Sequence, residues 1–520
     1  MQQTIMVDGR SLSIQDVISI AQNQRTITIS QSALDDLSST RLAINKILDS
    51  KIPKYGLNTG FGALAETPIT SKRDMQSLQK HLIQSHAVGV GHPLAVEQAR
   101  AMMLLRLNTL LAGHSGSRPV VAESLAKLLN AGAAPYIPSR GSVGASGDLA
   151  PLAHLALLLQ GQGPAYLDGK QISAKSLLNK LDLPSLKLEA KEGLSLINGT
   201  QAMTSVGCFA IFHGFRQFYL ANVIASASVD ALAGSQVPFD PRIHQLRPHP
   251  GQIECAEIMQ LMLEGSLIRS GQSHNRVQDA YSLRCIPQVH GAVKDALNHV
   301  QKTVEIEINS VTDNPLVFRS TNDHHLDILS GGNFHGQYLA MTLDYLAIAL
   351  STLGNIAERR IEQMLNPSLS AGLPPFLAVQ PGLNSGYMIL QVVAASLVNE
   401  NKVLSHPAST DSIPTSANRE DFVSMGMTSA NKLNQIIENV YQILGIELLC
   451  ACQALDFREK APGKLVSKMH QQTRQHISFA KHDRAFRKDL TKAVSLLKSG
   501  NLLRDLSAVY SIEAFIERET

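Results

Sequence analysis

The sequence predicts a mainly α-helical protein built as a bundle of long helices, and three observations carry that expectation. Leu339, Leu343, Leu346, Leu350, Leu353, Ala357, Ile361 and Met364 recur at intervals of three or four, laying one apolar stripe along a single helix. Leu433, Ile436, Val440, Leu444, Leu448 and Leu455 repeat the pattern, with the apolar stretch Met388 to Val403 between the two. The alternation expected of a strand is short, as in Thr26-Ile27-Thr28-Ile29-Ser30. A chain of 520 residues has a length that by itself suggests about three or four domains. Long helices sharing one bundle resist that division. The chain therefore reads as two joined parts: a helical N-terminal part, 1–196, and a long-helix bundle, 197–520.

Composition narrows the function. Hydrophobic residues make up 44% of the chain, ample for a large core, and the formal net charge of +3 includes no basic run suited to nucleic acid. The five cysteines (Cys208, Cys255, Cys285, Cys450, Cys452) are scattered, odd in number and often inside apolar segments, so they read as reduced core residues. Cys450 and Cys452 lack a second ligand pair nearby, and no metal is expected there. The first residues, Met1 to Asp8, lack the charged start and apolar core of a signal peptide. No run is expected to have the length and apolarity that a bilayer requires, about 20 residues. The expectation is a soluble, cytoplasmic protein without nucleic-acid or membrane partners.

From the N-terminus, Ser13 with Asp16 three residues on reads as a capping box that opens a helix to Ala21. Another helix runs through Leu42, Ile44 and Leu48, and then Tyr55-Gly56-Leu57-Asn58-Thr59-Gly60-Phe61-Gly62 has no period and reads as a Gly-rich loop. A helix from Met75 to Ala87 carries Ser85-His86 near its end. Asn198-Gly199-Thr200-Gln201 has the chemistry of an Asx turn. Pro238, Pro241, Pro248 and Pro250 make Val237 to Gln252 a broken connection, and its His244 and His249 read as solvated. Gln278-Asp279-Ala280-Tyr281-Ser282-Leu283-Arg284 is a dense polar cluster.

The stretch hardest to explain as ordinary structure is Gly141-Ser142-Val143-Gly144-Ala145-Ser146-Gly147-Asp148-Leu149-Ala150-Pro151. Small residues with Ser and Asp ahead of an apolar run describe a loop and helix start. The same residues leave the backbone nearly bare, and glycine reaches dihedrals closed to other residues. A tight bend can bring the amide nitrogen of Gly147 against the carbonyl carbon of Ala145, and the Ser146 hydroxyl can leave as water. Cyclisation with dehydration would give a five-membered ring bearing an exocyclic methylene, an electrophile that the standard side chains do not supply.

Ala145-Ser146-Gly147-Asp148-Leu149-Ala150-Pro151 is also the signature from which the histidine and phenylalanine ammonia-lyase family builds a 4-methylidene-imidazol-5-one ring. The chain resembles that family from about Val7 to about Leu502, and most of all its histidine-specific members. The resemblance implies a bundle of the ammonia-lyase and fumarase type and a ring formed autocatalytically from Ala145, Ser146 and Gly147, with no external cofactor. It implies a homotetramer whose subunits share active sites. The related fumarase and argininosuccinate lyase signature, Gly-Ser-Ser-x-Met-Pro-x-Lys-x-Asn, is absent.

Residue by residue, the resemblance makes Tyr55 the catalytic base, although a phenol with a pKa of about 10 needs its anion stabilised to act at neutral pH. It places Ser85-His86 against the substrate side chain; phenylalanine enzymes tend to carry Phe-Leu there and many tyrosine enzymes His-Leu. Asn198 would bind substrate and stabilise the ring, with Gln278 and Tyr281 completing the pocket. Arg284 would hold the substrate carboxylate, as a guanidinium does in bidentate fashion. Gly331-Gly332-Asn333-Phe334-His335-Gly336 matches a loop that presents a phenyl group, Phe334, beside the ring. Glu420 sits where histidine enzymes have Glu and the others usually Gln. Histidine enzymes commonly read Asn-Gln-Glu-Asp-His there, whereas this chain has Asn418-Arg419-Glu420-Asp421-Phe422. The expected reaction is loss of ammonia from L-histidine to give trans-urocanate. The alternative is a tyrosine or other aromatic amino acid ammonia-lyase or aminomutase with the same ring.

Overall fold

The computed structural model describes residues 4–22, 24–49, 57–60, 67, 69, 71–268, 277–319, 326–504 and 506. Its described helices are α1 (Ile14–Ala21), α2 (Gln31–Asp49), α3 (Lys72–His86), α4 (Val96–Leu111), α5 (Pro119–Asn130), α6 (Leu149–Leu159), α7 (Ala174–Lys180), α8 (Glu192–Ile197), α9 (Gln201–Ala231) and α10 (Pro241–Gln245). They continue with α11 (Pro250–Leu263), α12 (Tyr281–Arg284), α13 (Ile286–Glu307), α14 (Gln337–Leu365), α15 (Met388–Leu404), α16 (Gly426–Asp456), α17 (Lys464–His476), α18 (Phe486–Lys498) and α19 (Asn501–Arg504). The protein is mainly α-helical, as its apolar periodicity requires. Short strands pair locally. Ile5–Val7 runs parallel to Ile27–Ile29, and Val90–Pro93 lies antiparallel to Pro138–Arg140. Ala133–Pro135, Pro164–Leu167 and Lys170–Ser173 form an antiparallel sheet, and Leu316–Arg319 pairs with Leu326–Leu329.

Contacts gather the chain into two units, each drawn from three stretches. One comprises Met1–Phe209, Gln301–Asp344 and Pro407–Asn431; the other comprises Ala210–Val300, Tyr345–His406 and Lys432–Thr520.

In the first unit, α4 is buried on every side from Gln98 to Leu111, the pattern of a helix at the centre of a core. Its Arg100 guanidinium donates to the backbone carbonyls of Ile20, Ala21, Leu129 and Ala133 at 2.8–3.1 Å. Around it, helix starts follow local chemistry. Ser13 and Asp16 form the expected capping box on α1, Ser71 caps α3 through Asp74 N–H, and Pro119 opens α5.

The second unit has an ionic core. Arg360 donates to both carboxylate oxygens of Glu447 at 2.5 and 3.0 Å, and both side chains are fully buried. Ser228 also donates to Glu447, while His290 bonds Asn222 through Nδ1 and lies 3.4 Å from Arg360 Nη1 through Nε2. Burial drives the His290 pKa well below its ordinary value, so this imidazole is neutral.

Two expectations are corrected. The proline-rich stretch 237–252 is not an open connection, because Pro241 and Pro250 each begin a helix, where the missing N–H costs nothing. His244 is accordingly buried rather than solvated; its Nε2 donates to the Pro238 carbonyl and its Nδ1 accepts from Gln252. Second, α14 does have the length and composition to cross a bilayer, with an 18-residue window of mean hydropathy 1.4. Of that window 67% is buried within the protein, as in the core helix of a bundle.

Candidate active site

The site is organised by the 141–151 loop of the first unit. Asp148 stands at the N-cap of α6, yet its carboxylate does not cap that helix. Oδ1 accepts from the Ser142 hydroxyl at 2.8 Å, and Oδ2 accepts from the Met203 N–H at 2.9 Å, a donor that the first turn of α9 leaves without a helical partner. The Asp148 N–H in turn donates to the Gly199 carbonyl at 2.7 Å. One buried acid thus ties the loop to the start of α9.

Gly147 shows why this loop is built from glycine. Its φ of +71° lies in the left-handed region, and a Cβ there would collide with the Gly199 backbone. The loop is also clamped from two other segments. Val143 O accepts from Met425 N–H at 2.8 Å, and Gly144 O accepts from Gly336 N–H at 3.1 Å and Ser424 Oγ at 2.9 Å.

Over this frame, Asn198 donates from Nδ2 to both Ser146 O, at 2.8 Å, and Ser146 Oγ, at 2.9 Å. Asn198 is held from behind, where Arg106 Nη1 donates to its carbonyl at 2.8 Å and to Gln201 Oε1 at 3.1 Å. Arg106 is fully buried, and burial pulls its pKa down to about 10 against the attraction of Asp313. Asp313 pairs with Lys191 at 3.1 Å, both side chains being fully buried. Two cations therefore depend on one carboxylate beneath the loop.

The loop opens onto a cavity of about 320 Å³ lined by residues of 141–147 together with Ser85, His86, Thr415 and Glu420. His86 ends α3. The Ser85 hydroxyl donates to the Leu82 carbonyl at 3.1 Å, so His86 Nδ1, 3.0 Å from Ser85 Oγ, is the donor of that pair. With the hydrogen on Nδ1, Nε2 keeps a lone pair. Burial lowers the His86 pKa, while the Leu82 carbonyl and the charge of Glu420 act in the opposite direction.

Glu420 lies in a tight turn. Thr415 N–H donates to Glu420 O at 2.9 Å, and Thr415 Oγ1 donates to Glu420 Oε2 at 2.7 Å. Between them Ser416, Ala417 and Asn418 all have positive φ, 52° to 68°, an unfavourable conformation for residues with a Cβ. Phe422 is exposed and stacks on the His335 ring with centroids 5.9 Å apart.

Of the residues expected from sequence, His86, Ala145, Ser146, Gly147 and Glu420 line one cavity, and Asn198 reaches Ser146 from below. Phe334 is half-buried in the turn before α14. Tyr55 lies outside the described residues. Gln278, Tyr281 and Arg284 belong to the second unit. There Tyr281 is 70% exposed, the Arg284 guanidinium lies 4.6 Å over its ring, and Arg284 Nε is buried without a partner among the described residues. Sequence reading gave no role to Arg106, Thr415 or Ser424. Arg106 had a signal, a charge inside the otherwise apolar run Met102 to Leu107, but Arg100 carries the same signal and is structural.

Asp148 makes a pH prediction. Burial raises its pKa from 3.8 to about 6, outweighing the bonds from Met203 and Ser142 that favour the anion. The folded state holds this proton more tightly than the unfolded chain does. The associated stability is fully present below pH 3.8 and is lost as pH rises through about 6. Asp148→Asn should flatten that part of the profile of melting temperature against pH, and an unchanged slope would refute the assignment.

The helical bundle and the clamped Ala-Ser-Gly loop define a lyase class. A sequence profile described as aromatic amino acid lyase matches residues 12–475, and the chain belongs to that family. It is a carbon–nitrogen lyase. The chain is 48% identical over 496 residues to the histidine ammonia-lyase of Treponema denticola, covering 95% of this chain and 97% of that one. Among solved structures it is similar to histidine ammonia-lyase from Trypanosoma cruzi, with TM-score 0.90, 41% identity, and 98% and 96% of the two chains covered. Tyrosine aminomutase from Streptomyces globisporus has TM-score 0.91 at 36% identity, with 97% and 99% covered.

Proposed function

We propose that this protein is a histidine ammonia-lyase that eliminates ammonia from L-histidine to give trans-urocanate, using a 4-methylidene-imidazol-5-one ring made from Ala145, Ser146 and Gly147. The observation that carries the reading is the Asn198 amide on both Ser146 oxygens, in a loop whose Gly147 has the backbone conformation and the crowding of a tight bend. Those residues suit the ring. Its formation joins Gly147 N to the Ala145 carbonyl carbon, and two waters leave, one taking the Ala145 oxygen and the other the Ser146 hydroxyl. The ring supplies an electrophile that draws electrons from the bound amino acid.

The remaining work falls to side chains. Asn198 Nδ2 sits where it can stabilise negative charge on the Ser146 oxygen. His86 Nε2 and Glu420 accept from the substrate side chain. Arg284 holds the carboxylate, Tyr55 removes the β proton, and Gln278, Tyr281 and Phe334 complete the pocket.

The active unit is a homotetramer with shared sites, and the reading draws support from apolar faces left bare. On α14, Tyr338, Met341, Tyr345 and Ile348 are exposed at helical spacing, and on α15 Ile389, Val392 and Val403 are more than half exposed. The protein acts in the cytoplasm and needs no external cofactor.

The reading is tested by the absorbance of purified protein incubated with L-histidine, L-tyrosine or L-phenylalanine. Conjugated acrylate is expected from histidine. A preference for tyrosine would keep the ring chemistry and transfer the protein to the tyrosine-acting branch, where Phe422 replaces a polar histidine beside the pocket.

A further inference from the structure

We propose that Thr415 is a positioning residue that fixes the Glu420 carboxylate and thereby sets the preference for a side chain bearing N–H donors. This deepens the histidine reading and rests on it.

The Thr415 hydroxyl has one hydrogen, and it goes to Glu420 Oε2 at 2.7 Å. The backbones of the two residues are bridged in both directions, Thr415 N–H to Glu420 O at 2.9 Å and Glu420 N–H to Thr415 O at 3.3 Å. Main chain and side chain are thus fixed together. Among the described residues, Oε1 of Glu420 has no hydrogen-bond partner, and both residues line the cavity that His86 enters.

The chemistry of this end of the cavity follows. His86 presents a lone pair on Nε2, because Nδ1 is the donor to Ser85. Glu420 presents Oε1, because Oε2 is occupied. A phenyl ring offers neither acceptor a hydrogen, and a phenol or a neutral imidazole has one to give, whereas an imidazolium has two, one for each acceptor. The protonated imidazole of the substrate thus matches both acceptors, and an acceptor left unpaired in this half-buried cavity disfavours rings that lack N–H donors. Without the Thr415 hydroxyl, Glu420 can turn, and the cavity loses one fixed acceptor while every group that touches substrate remains.

The test compares Thr415→Val, which keeps the β-branched shape, with Thr415→Ser, which keeps the hydroxyl, in the full-length protein. With L-histidine, Thr415→Val should lower kcat/KM roughly 10-fold or more, as expected for loss of a hydrogen bond to a charged group, and mainly through KM. Thr415→Ser should restore most of the loss. Intact mass and melting temperature should match the parent, showing that the ring and the fold are unaffected. Equal kcat/KM in parent and Thr415→Val would overturn the proposal, as would equal impairment in the Val and Ser variants, which would make the effect one of backbone shape. A parent protein that leaves histidine unconsumed would instead overturn the function reading, and the proposal with it.

Discussion

Ser146→Ala should leave a folded protein that has lost roughly 10³ to 10⁶ in kcat, the scale seen when the reactive group of an enzyme is removed and only binding is left. The hydroxyl is the group that departs when the ring forms, so the variant cannot acquire the exocyclic methylene. Structure around it should survive. The Asn198 bond to Ser146 O needs only the backbone, and the bond lost, to Oγ, contributes about 1 kcal/mol. Mass spectrometry separates this from general damage: the parent should be lighter than its encoded chain by two waters, while the variant should keep them. Full activity in Ser146→Ala would remove the ring from the account.

The largest effect on stability is expected at Asp313. Its carboxylate is the buried partner of Lys191 and the attraction felt by Arg106, and none of the three side chains has appreciable exposure. Asp313→Asn keeps the shape but leaves two buried cations without a counter-charge, and removing one partner of a buried pair costs about 3–5 kcal/mol. In a chain of this size that is a fall of a few degrees in melting temperature. Because Arg106 holds the Asn198 carbonyl, activity should fall as well. Combining Lys191→Met with Asp313→Asn should recover part of the stability, since a neutralised pair is tolerated better than a broken one. Scanning calorimetry of the three variants checks this, and additive losses in the double variant would count against the coupling.

The long stripes and the Ala145-Ser146-Gly147 loop were legible because their information is local: a period of 3.6 residues, or a run of small residues ahead of an apolar helix. The start of α1, with Ser13 as cap and Asp16 three residues on, was legible for the same reason. What escaped depends on separation in the chain. Asp148 reads as the cap of its own helix, yet it serves Met203, 55 residues on. Arg100 and Arg106 are six residues apart on one helix; the first donates to four backbone carbonyls, whereas the second supports Asn198. The turn from Thr415 to Glu420 gave no signal because its left-handed residues are Ser416, Ala417 and Asn418, with no glycine to mark the bend. His244 looked solvated because prolines suggested a loop, whereas two of them open helices that bury it.

The most direct test of the account is the product balance with L-histidine as sole substrate, following trans-urocanate by absorbance, ammonium by enzymatic assay and any β-amino acid by NMR. Equimolar urocanate and ammonium, with no β-amino acid, is the predicted result. Accumulation of a β-amino acid without free ammonium would make the protein an aminomutase, and unconsumed histidine would contradict the proposed substrate.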